Sequence, residues 1–231
     1  TTLRLQRLYA GHPWAEVSRV MGCRACGAEL VLTQHLARQC AYCGSTNVLV
    51  EDPQHPFEQP DGFLPFEVDA RAAASAIRKT QDESGQGGKG QEITLQGIYA
   101  PFWVFDGIVE AFWKSLRKDG TLSDTSSSDQ FKYDNLVFPA VDVPPISILD
   151  QALPFDLHAL VPYEPRLLAD WHAQLYNLDV EVAVEDAADA MLALAFLQTG
   201  PPVRFGEGAP EGTRAFRVLQ MNSMTFQLVL L

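Results

Sequence analysis

Basic residues are scarce in this sequence, and their scarcity argues against whole classes of partner. The chain of 231 residues has 17 Lys and Arg against 29 Asp and Glu, a formal net charge of −12. Five Arg and two Glu give residues 1–50 a balance of +3, and the other 12 basic and 27 acidic side chains give residues 51–231 a balance of −15. Proteins that bind phosphate backbones usually present a strongly basic face. Nucleic-acid binding is therefore not expected of residues 51–231.

Long apolar runs are also missing. No stretch reaches the ~18 apolar residues of a membrane-spanning helix, and the front of the sequence has no signal-peptide pattern. We therefore expect a cytoplasmic protein with no membrane span in the residues shown. The sequence starts at Thr1 without a methionine and stops inside the apolar run 226–231, so we expect a chain that is truncated at its C-terminus.

Cysteine is rare, and all four cysteines fall within one 21-residue window. They form two pairs, Cys23 with Cys26 and Cys40 with Cys43, and thirteen residues separate the pairs. Zinc is held by four thiolates at the corners of a tetrahedron, and a two-residue gap lets one tight turn supply two corners. This spacing predicts one structural Zn²⁺ in a small ribbon, with no coordination position left open for water.

Four cysteines at this spacing could also serve chemistries other than zinc binding. Four thiolates also suit iron in a rubredoxin-like site, so iron stays an alternative. Two disulfides would need an oxidising compartment, which nothing in the sequence indicates. A thioredoxin-like redox pair needs one such motif at the start of a helix, rather than two in a ribbon.

A glycine follows each cysteine pair, Gly27 after the first and Gly44 after the second. A positive φ at these positions would let backbone amides point at the sulfurs, so we expect it at both. A module of this size owes its stability mainly to its metal ion.

Catalytic motifs are absent from the sequence. There is no GxSxG, HExxH or other nucleophile or metallohydrolase motif, and the glycine-rich stretch 85–90 does not match the phosphate-binding pattern GxxxxGK[ST]. With all four cysteines assigned to the metal, no thiol nucleophile is left. The sequence predicts a protein that is not an enzyme, although a site assembled from distant residues stays an alternative.

The sequence divides into four consecutive parts. Residues 1–20 mix apolar and basic side chains and are interpreted as an N-terminal arm. Residues 21–50 are interpreted as the zinc ribbon, and residues 51–62, which contain three prolines, as a linker. Residues 63–231 are expected to form a larger acidic domain. We predict an α+β fold, in which a small N-terminal zinc ribbon is followed by a mixed antiparallel sheet with helices.

Local signals predict two helices in the acidic domain. Asp69 is expected to cap a helix that runs from Ala70 to about Asp82. A second helix is predicted over 180–198, because apolar residues recur there at helical spacing and a Gly-Pro-Pro sequence follows.

Other parts of the acidic domain contain residues that favour strands or turns. The aromatic stretch 93–113 favours strands. The polar stretch 120–128 is expected to be mobile. Near the end, Asn222-Ser223 predicts a turn between two strands, 215–219 and 225–231.

Seven segments of the sequence carry a resemblance to known proteins: CRACGAE (23–29), CAYCGS (40–45), GFLPFEV (62–68), GIYAPFWVFD (97–106), LPFDL (153–157), YEPRLLADWHAQLY (163–176) and FQLVLL (226–231). They resemble a family of prokaryotic zinc-ribbon proteins of unassigned function, with TFIIB-type or rubredoxin-like knuckles. Some members of that family are labelled as related to replication helicases. The resemblance implies a metal-binding ribbon and carries no catalytic residue across.

The sequence departs from that family at two places. Ala41 stands where the second knuckle commonly has proline after its first cysteine. The family's last apolar strand usually continues into a proline-tryptophan segment, which is missing after residues 226–231. The second departure agrees with a truncated chain.

The sequence favours a non-enzymatic adaptor or scaffold that acts through protein–protein contacts in a larger assembly. Arg24 and Tyr42, one in each knuckle, are expected to project outward and bind a partner, since aromatic residues and arginine are enriched at interface anchors. Trp14 in the arm is a third candidate. The plainer alternatives are that Tyr42 covers the zinc sulfurs and that the Trp14 segment packs on its own chain.

The second functional hypothesis is a nucleic-acid-associated accessory of replication or transcription, with Arg24 and Arg38 touching phosphates.

Overall fold

The computed structural model describes residues 4–9, 11–14, 17, 19–31, 39–53, 56–85, 95–143, 149, 153–168, 171–199 and 212–231. Within these residues the chain combines mixed β-sheets with two α-helices, which confirms the predicted α+β class. None of the helices described there is long and apolar enough to span a membrane.

The secondary structure follows a simple order along the described chain. The strands are β1 (Arg4–Arg7), β2 (Val20–Cys23), β3 (Glu29–Val31), β4 (Val48–Glu51), β5 (Gly62–Phe63), β6 (Ile98–Tyr99), β7 (Pro101–Leu116), β8 (Leu122–Pro139), β9 (Val161–Pro162), β10 (His172–Ala173) and β11 (Arg214–Leu230). The helices are α1 (Ala70–Glu83) and α2 (Val180–Thr199), with short 3-10 helices at Leu157–Ala159 and Pro165–Leu168.

The chain forms two compact units, each discontinuous in sequence. The first, here called the long-strand unit, consists of Thr1–Ala10, Trp103–Phe138 and Leu178–Gln227. The second, here called the ribbon unit, consists of Gly11–Phe102, Pro139–Asn177 and Leu228–Leu231. The four parts predicted from the sequence are consecutive segments instead, and that division stays a prediction.

The long-strand unit is built on β7, which lies between β8 and β11, while β1 runs parallel to β11. From Phe105 to Trp113, side chains of β7 alternate between buried and half-buried, as expected of a strand with one face on a core. Helix α2 buries a row of mostly small side chains, Ala183, Ala187, Met191 and Ala195. Gly107 in β7 makes room for this helix, because a Cβ there would overlap the sulfur of Met191.

The ribbon unit contains the cysteines and the three-stranded antiparallel sheet β3-β2-β4. Val20 of β2 and Val31 of β3 belong to the same buried cluster as Phe57, Tyr99 and Leu175. Phe57, which lies in the predicted linker, is only 5% exposed. The ribbon strands therefore share the core of the whole unit, and burial of these side chains fixes where the cysteine knuckles lie.

Several local predictions can be compared with these elements. Both helices are confirmed, and the Asp69 side chain accepts a hydrogen bond from the N–H of Ala72 at 2.7 Å, as a helix cap does. Most of the stretch 120–128, which was expected to be mobile, belongs to β8. Residues 215–219 and 225–230 are strand as predicted, but the separation into two strands is wrong, because β11 is continuous.

Candidate metal centre

The first cysteine knuckle begins at the end of β2. The N–H of Gly27 donates to the carbonyl of Cys23 at 2.8 Å, and the N–H of Cys23 donates to the carbonyl of Ala28 at 2.9 Å. Gly27 has a φ of 83°, a backbone conformation that glycine adopts without steric cost. This tight turn brings Cys23 and Cys26 to one side of the chain.

The second knuckle repeats the same hydrogen bonds. The N–H of Gly44 donates to the carbonyl of Cys40 at 2.9 Å, and the N–H of Cys40 donates to the carbonyl of Ser45 at 2.8 Å. Gly44 has a φ of 69°. Both knuckle glycines thus have the positive φ that the sequence predicts.

The two knuckles bring their four sulfurs together. The Sγ atoms of Cys23 and Cys43 lie 3.6 Å apart, those of Cys26 and Cys40 lie 3.7 Å apart, and all four lie within 4.8 Å of one another. Thiolates about 2.3 Å from a central ion at tetrahedral corners have sulfurs about 3.8 Å apart. The four cysteines therefore fit a single four-coordinate metal ion. None of them is joined in a disulfide.

The protein around the sulfurs affects each thiol differently. Burial raises the pKa of Cys26 to about 12, and burial also raises the pKa of Cys40. At Cys23 burial acts in the same direction, but hydrogen bonds from the backbone of Cys26 and Ala25 outweigh it and lower the pKa to about 7. Four thiolates this close repel one another, so a bound cation is what would let all four ionise together.

Apolar and aromatic side chains pack around the knuckles. Ala28, Tyr42, Val48 and Val143 contact the cluster formed by the buried cysteines. Such a shell holds the ligands in place, although Cys43 itself is exposed. Val143, far along the sequence, could not be assigned to this shell from the sequence because no local pattern marks it.

Tyr42 is held by the protein's own chain. Its hydroxyl donates to Oε1 of Gln174 at 2.5 Å, and Nε2 of Gln174 donates to the carbonyl of Val143. Gln174 is only 2% exposed. Burial, followed by the proximity of Cys40 and Cys26, raises the pKa of Tyr42 well above its usual range. The expectation that Tyr42 projects outward is therefore corrected.

The other candidate partner-binding residues lie in different environments. Arg24 is exposed in the turn of the first knuckle. Trp14 is 4% exposed, and its Nε1 donates to the hydroxyl of Tyr163 at 2.8 Å with the two rings edge to face. This position matches the alternative in which the Trp14 segment packs on its own chain. Arg38 lies outside the described residues. The role of these side chains in partner binding stays a prediction.

Comparisons with known proteins leave the family open. The chain matches no protein-family model, no curated protein and no solved structure. The resemblance to prokaryotic zinc-ribbon proteins therefore stays a prediction that rests on its motifs, of which the four-cysteine pattern is the specific one.

Proposed function

We propose that this chain is a non-enzymatic adaptor of the cytoplasm, in which a ribbon held by one structural Zn²⁺ presents a docking surface to a partner protein. The observation that carries the proposal is the closed set of four sulfurs, all within 4.8 Å of one another. A tetrahedral ion bound by four thiolates has no position left for water or substrate. Such an ion would stabilise the fold and take no part in a reaction.

Zinc is the metal we propose, and iron is the alternative. Both ions accept four thiolates in tetrahedral geometry. Zinc has no redox chemistry, which suits a purely structural role. Cysteines that are not joined in disulfides also suit a reducing compartment such as the cytoplasm.

The charged and apolar side chains of the ribbon surface favour a protein partner over a nucleic acid. Arg24 is exposed there, but Glu29 and Glu51 are exposed on the same small sheet. Phosphate groups would be repelled by these carboxylates, and affinity for nucleic acid depends on the number of phosphates that cations neutralise. Apolar Leu49, 38% exposed on β4, is instead the kind of side chain that a protein surface would cover.

The proposal is tested with the full chain as bait in an extract of its native cell. Captured proteins are identified by mass spectrometry, and each is then purified and titrated against the zinc-loaded chain by calorimetry. We expect direct binding of at least one protein, and we expect that Cys26→Ser, which removes a metal ligand, abolishes it. Binding that persists undiminished in a metal-free Cys26→Ser chain would contradict a docking role for the ribbon.

A further inference from the structure

One face of the three-stranded sheet carries an unusual set of side chains. Gly22 in the central strand lies opposite Glu29 of β3 and opposite Leu49 of β4. Two residues earlier in the same strand, Val20 lies opposite Glu51 of β4. Residues opposite one another, or two apart in one strand, share a face of a sheet. These five residues therefore lie on one face, here called the Gly22 face, at one end of which Val20 is buried in the core of the unit.

The Gly22 face is hollow at its centre. A Cβ added to Gly22 would meet no atom within 4 Å apart from its chain neighbours, and the φ of Gly22 is not in the positive range. The backbone at this position therefore does not require glycine. Glycine weakens a strand interior, and where it occurs it often marks the close approach of a ligand or another backbone. A cavity of about 390 Å³ is lined by the Gly22 face together with Cys23, Arg24, Gly27, Asp52, Pro53 and Phe57.

The sheet is closed at one edge and open at the other. At β3, the N–H of Leu175 donates to the carbonyl of Glu29 at 3.0 Å and covers that edge. Just before β4, the carbonyl of Asn47 accepts a hydrogen bond from the N–H of Arg24. The backbone groups of an antiparallel strand point alternately to one side and the other, so those of Leu49 and Glu51 also point towards β2. Val48 and Val50 therefore direct their N–H and C=O groups outward, and no strand pairs with them in the described part of the chain.

The described residues that line the cavity have a negative balance of charge, with Glu29, Glu51 and Asp52 against Arg24. Neither Glu29 nor Glu51 forms an ion pair with any cation among the described residues. The whole chain is acidic as well, with a formal net charge of −12. Charge complementarity therefore favours a cationic occupant.

We infer that the cavity on the Gly22 face binds an extended segment of a partner protein, which adds a strand to β4 and carries an apolar side chain two residues from a Lys or Arg. A long apolar side chain lies against Leu49 and extends across it towards the hollow at Gly22, because Gly22 lies one strand further from the partner than Leu49 does. The cation lies opposite Glu51, where cross-strand pairs of opposite charge are favourable. Main-chain hydrogen bonds to Val48 and Val50 supply affinity, and the two side chains supply specificity. This inference rests on the proposed adaptor function and names the chemistry of the partner.

The probe is a display library of random short peptides, selected on the zinc-loaded full chain. We expect enrichment of peptides in which an apolar residue and a Lys or Arg are two positions apart, in either order. A selected peptide is then titrated against variants by fluorescence anisotropy. A Cβ at Gly22 has free space around it, so Gly22→Leu places a side chain in the hollow and should weaken binding at least about tenfold while the melting temperature and zinc content are retained.

A second variant keeps the test independent of Gly22. Glu51→Gln should weaken binding about twofold to fivefold, and this loss should shrink as salt is added because exposed charges are screened. The matched control is Glu185→Gln, which removes an exposed carboxylate of α2 that does not line the cavity. This control should bind the peptide as the unchanged chain does.

Three outcomes would overturn the inference. One is the enrichment of no peptide, or of peptides that bind Gly22→Leu as tightly as the unchanged chain. Another is enrichment of acidic peptides. The third is self-association of the chain that Gly22→Leu abolishes in analytical ultracentrifugation, since a second copy would then occupy the face. The adaptor function is tested separately. If Gly22→Leu captures a native protein as well as the unchanged chain does, the adaptor function stands and only the role of the cavity is contradicted.

Discussion

The hydroxyl of Tyr42 donates a hydrogen bond to Oε1 of Gln174, 2.5 Å away and 132 positions later in the sequence. The pair joins the second cysteine knuckle to a buried side chain outside the ribbon strands. Gln174 uses its other polar atom as well, because Nε2 donates to the carbonyl of Val143. Buried polar groups are stable when they are fully hydrogen-bonded, so this chain of contacts holds the knuckle at a defined place in the ribbon unit.

Tyr42→Phe removes one hydroxyl and leaves the ring in place. The variant leaves Oε1 of Gln174 buried without its donor, so the free energy of unfolding should fall by about 1–3 kcal/mol. Urea denaturation measures the loss, and elemental analysis should still find one zinc per chain. Gln174→Met is the paired change, and the double variant should lose less than the sum of the two single losses. Full additivity would show that the hydrogen bond contributes little.

Metal removal should loosen the ribbon unit and expose Trp14. Val20 of β2 packs in the same buried cluster as Trp14, and structural zinc contributes roughly 10 kcal/mol or more of binding free energy in small domains. A chelator should therefore lower the melting temperature and shift the tryptophan emission to longer wavelength. Trp14→Phe is the control, because it should remove most of that shift. An emission spectrum that chelation leaves unchanged would show that the metal does not hold this core.

Gly107→Val tests the packing of the long-strand unit. A Cβ at Gly107 would overlap the sulfur of Met191 in α2, so the variant should be destabilised by about 1–3 kcal/mol. Chemical denaturation followed by circular dichroism measures this. Met191→Ala in the same chain makes space and should recover part of the loss. Gly22→Leu, at a strand glycine with free space around it, provides the contrast and should leave stability almost unchanged.

The chain should bind DNA and RNA only weakly. Residues 51–231 carry a balance of −15, and non-specific affinity depends on the number of phosphates that Lys and Arg neutralise. We expect a dissociation constant weaker than ~10⁻⁵ M at ~150 mM salt, measured by fluorescence anisotropy with labelled oligonucleotides. Sub-micromolar binding that Arg24→Ala abolishes would instead support the nucleic-acid-associated alternative.

Local features of the sequence predicted the clustering of the four cysteines well. Two cysteines separated by two residues and followed by a glycine specify a tight turn, and the structure has that turn at both knuckles. The start of α1 was predictable for the same reason, because the Asp69 side chain caps it by accepting a hydrogen bond from the N–H of Ala72, three residues later. These features depend on neighbours in sequence, which a pattern can show.

Features that depend on distant contacts could not be predicted in this way. Asn222 and Ser223 signal a turn, but β11 passes straight through them. Ser223 is paired with Arg4 of β1, and the amide of Asn222 donates to Glu110 of β7 at 3.1 Å. Pairing on both sides satisfies these polar residues and outweighs their turn preference. The hollow at Gly22 was missed for the same reason, because it depends on what lies opposite in β3 and β4.

We propose that one ion with a complete shell of four thiolates holds the ribbon. The proposal is tested by X-ray absorption at the zinc edge of the purified full chain, together with elemental analysis. We expect one zinc per chain with four sulfur neighbours at about 2.3 Å and no oxygen or nitrogen neighbour. A spectrum with an oxygen ligand in place of a sulfur, or iron in place of zinc, would contradict the closed structural zinc site.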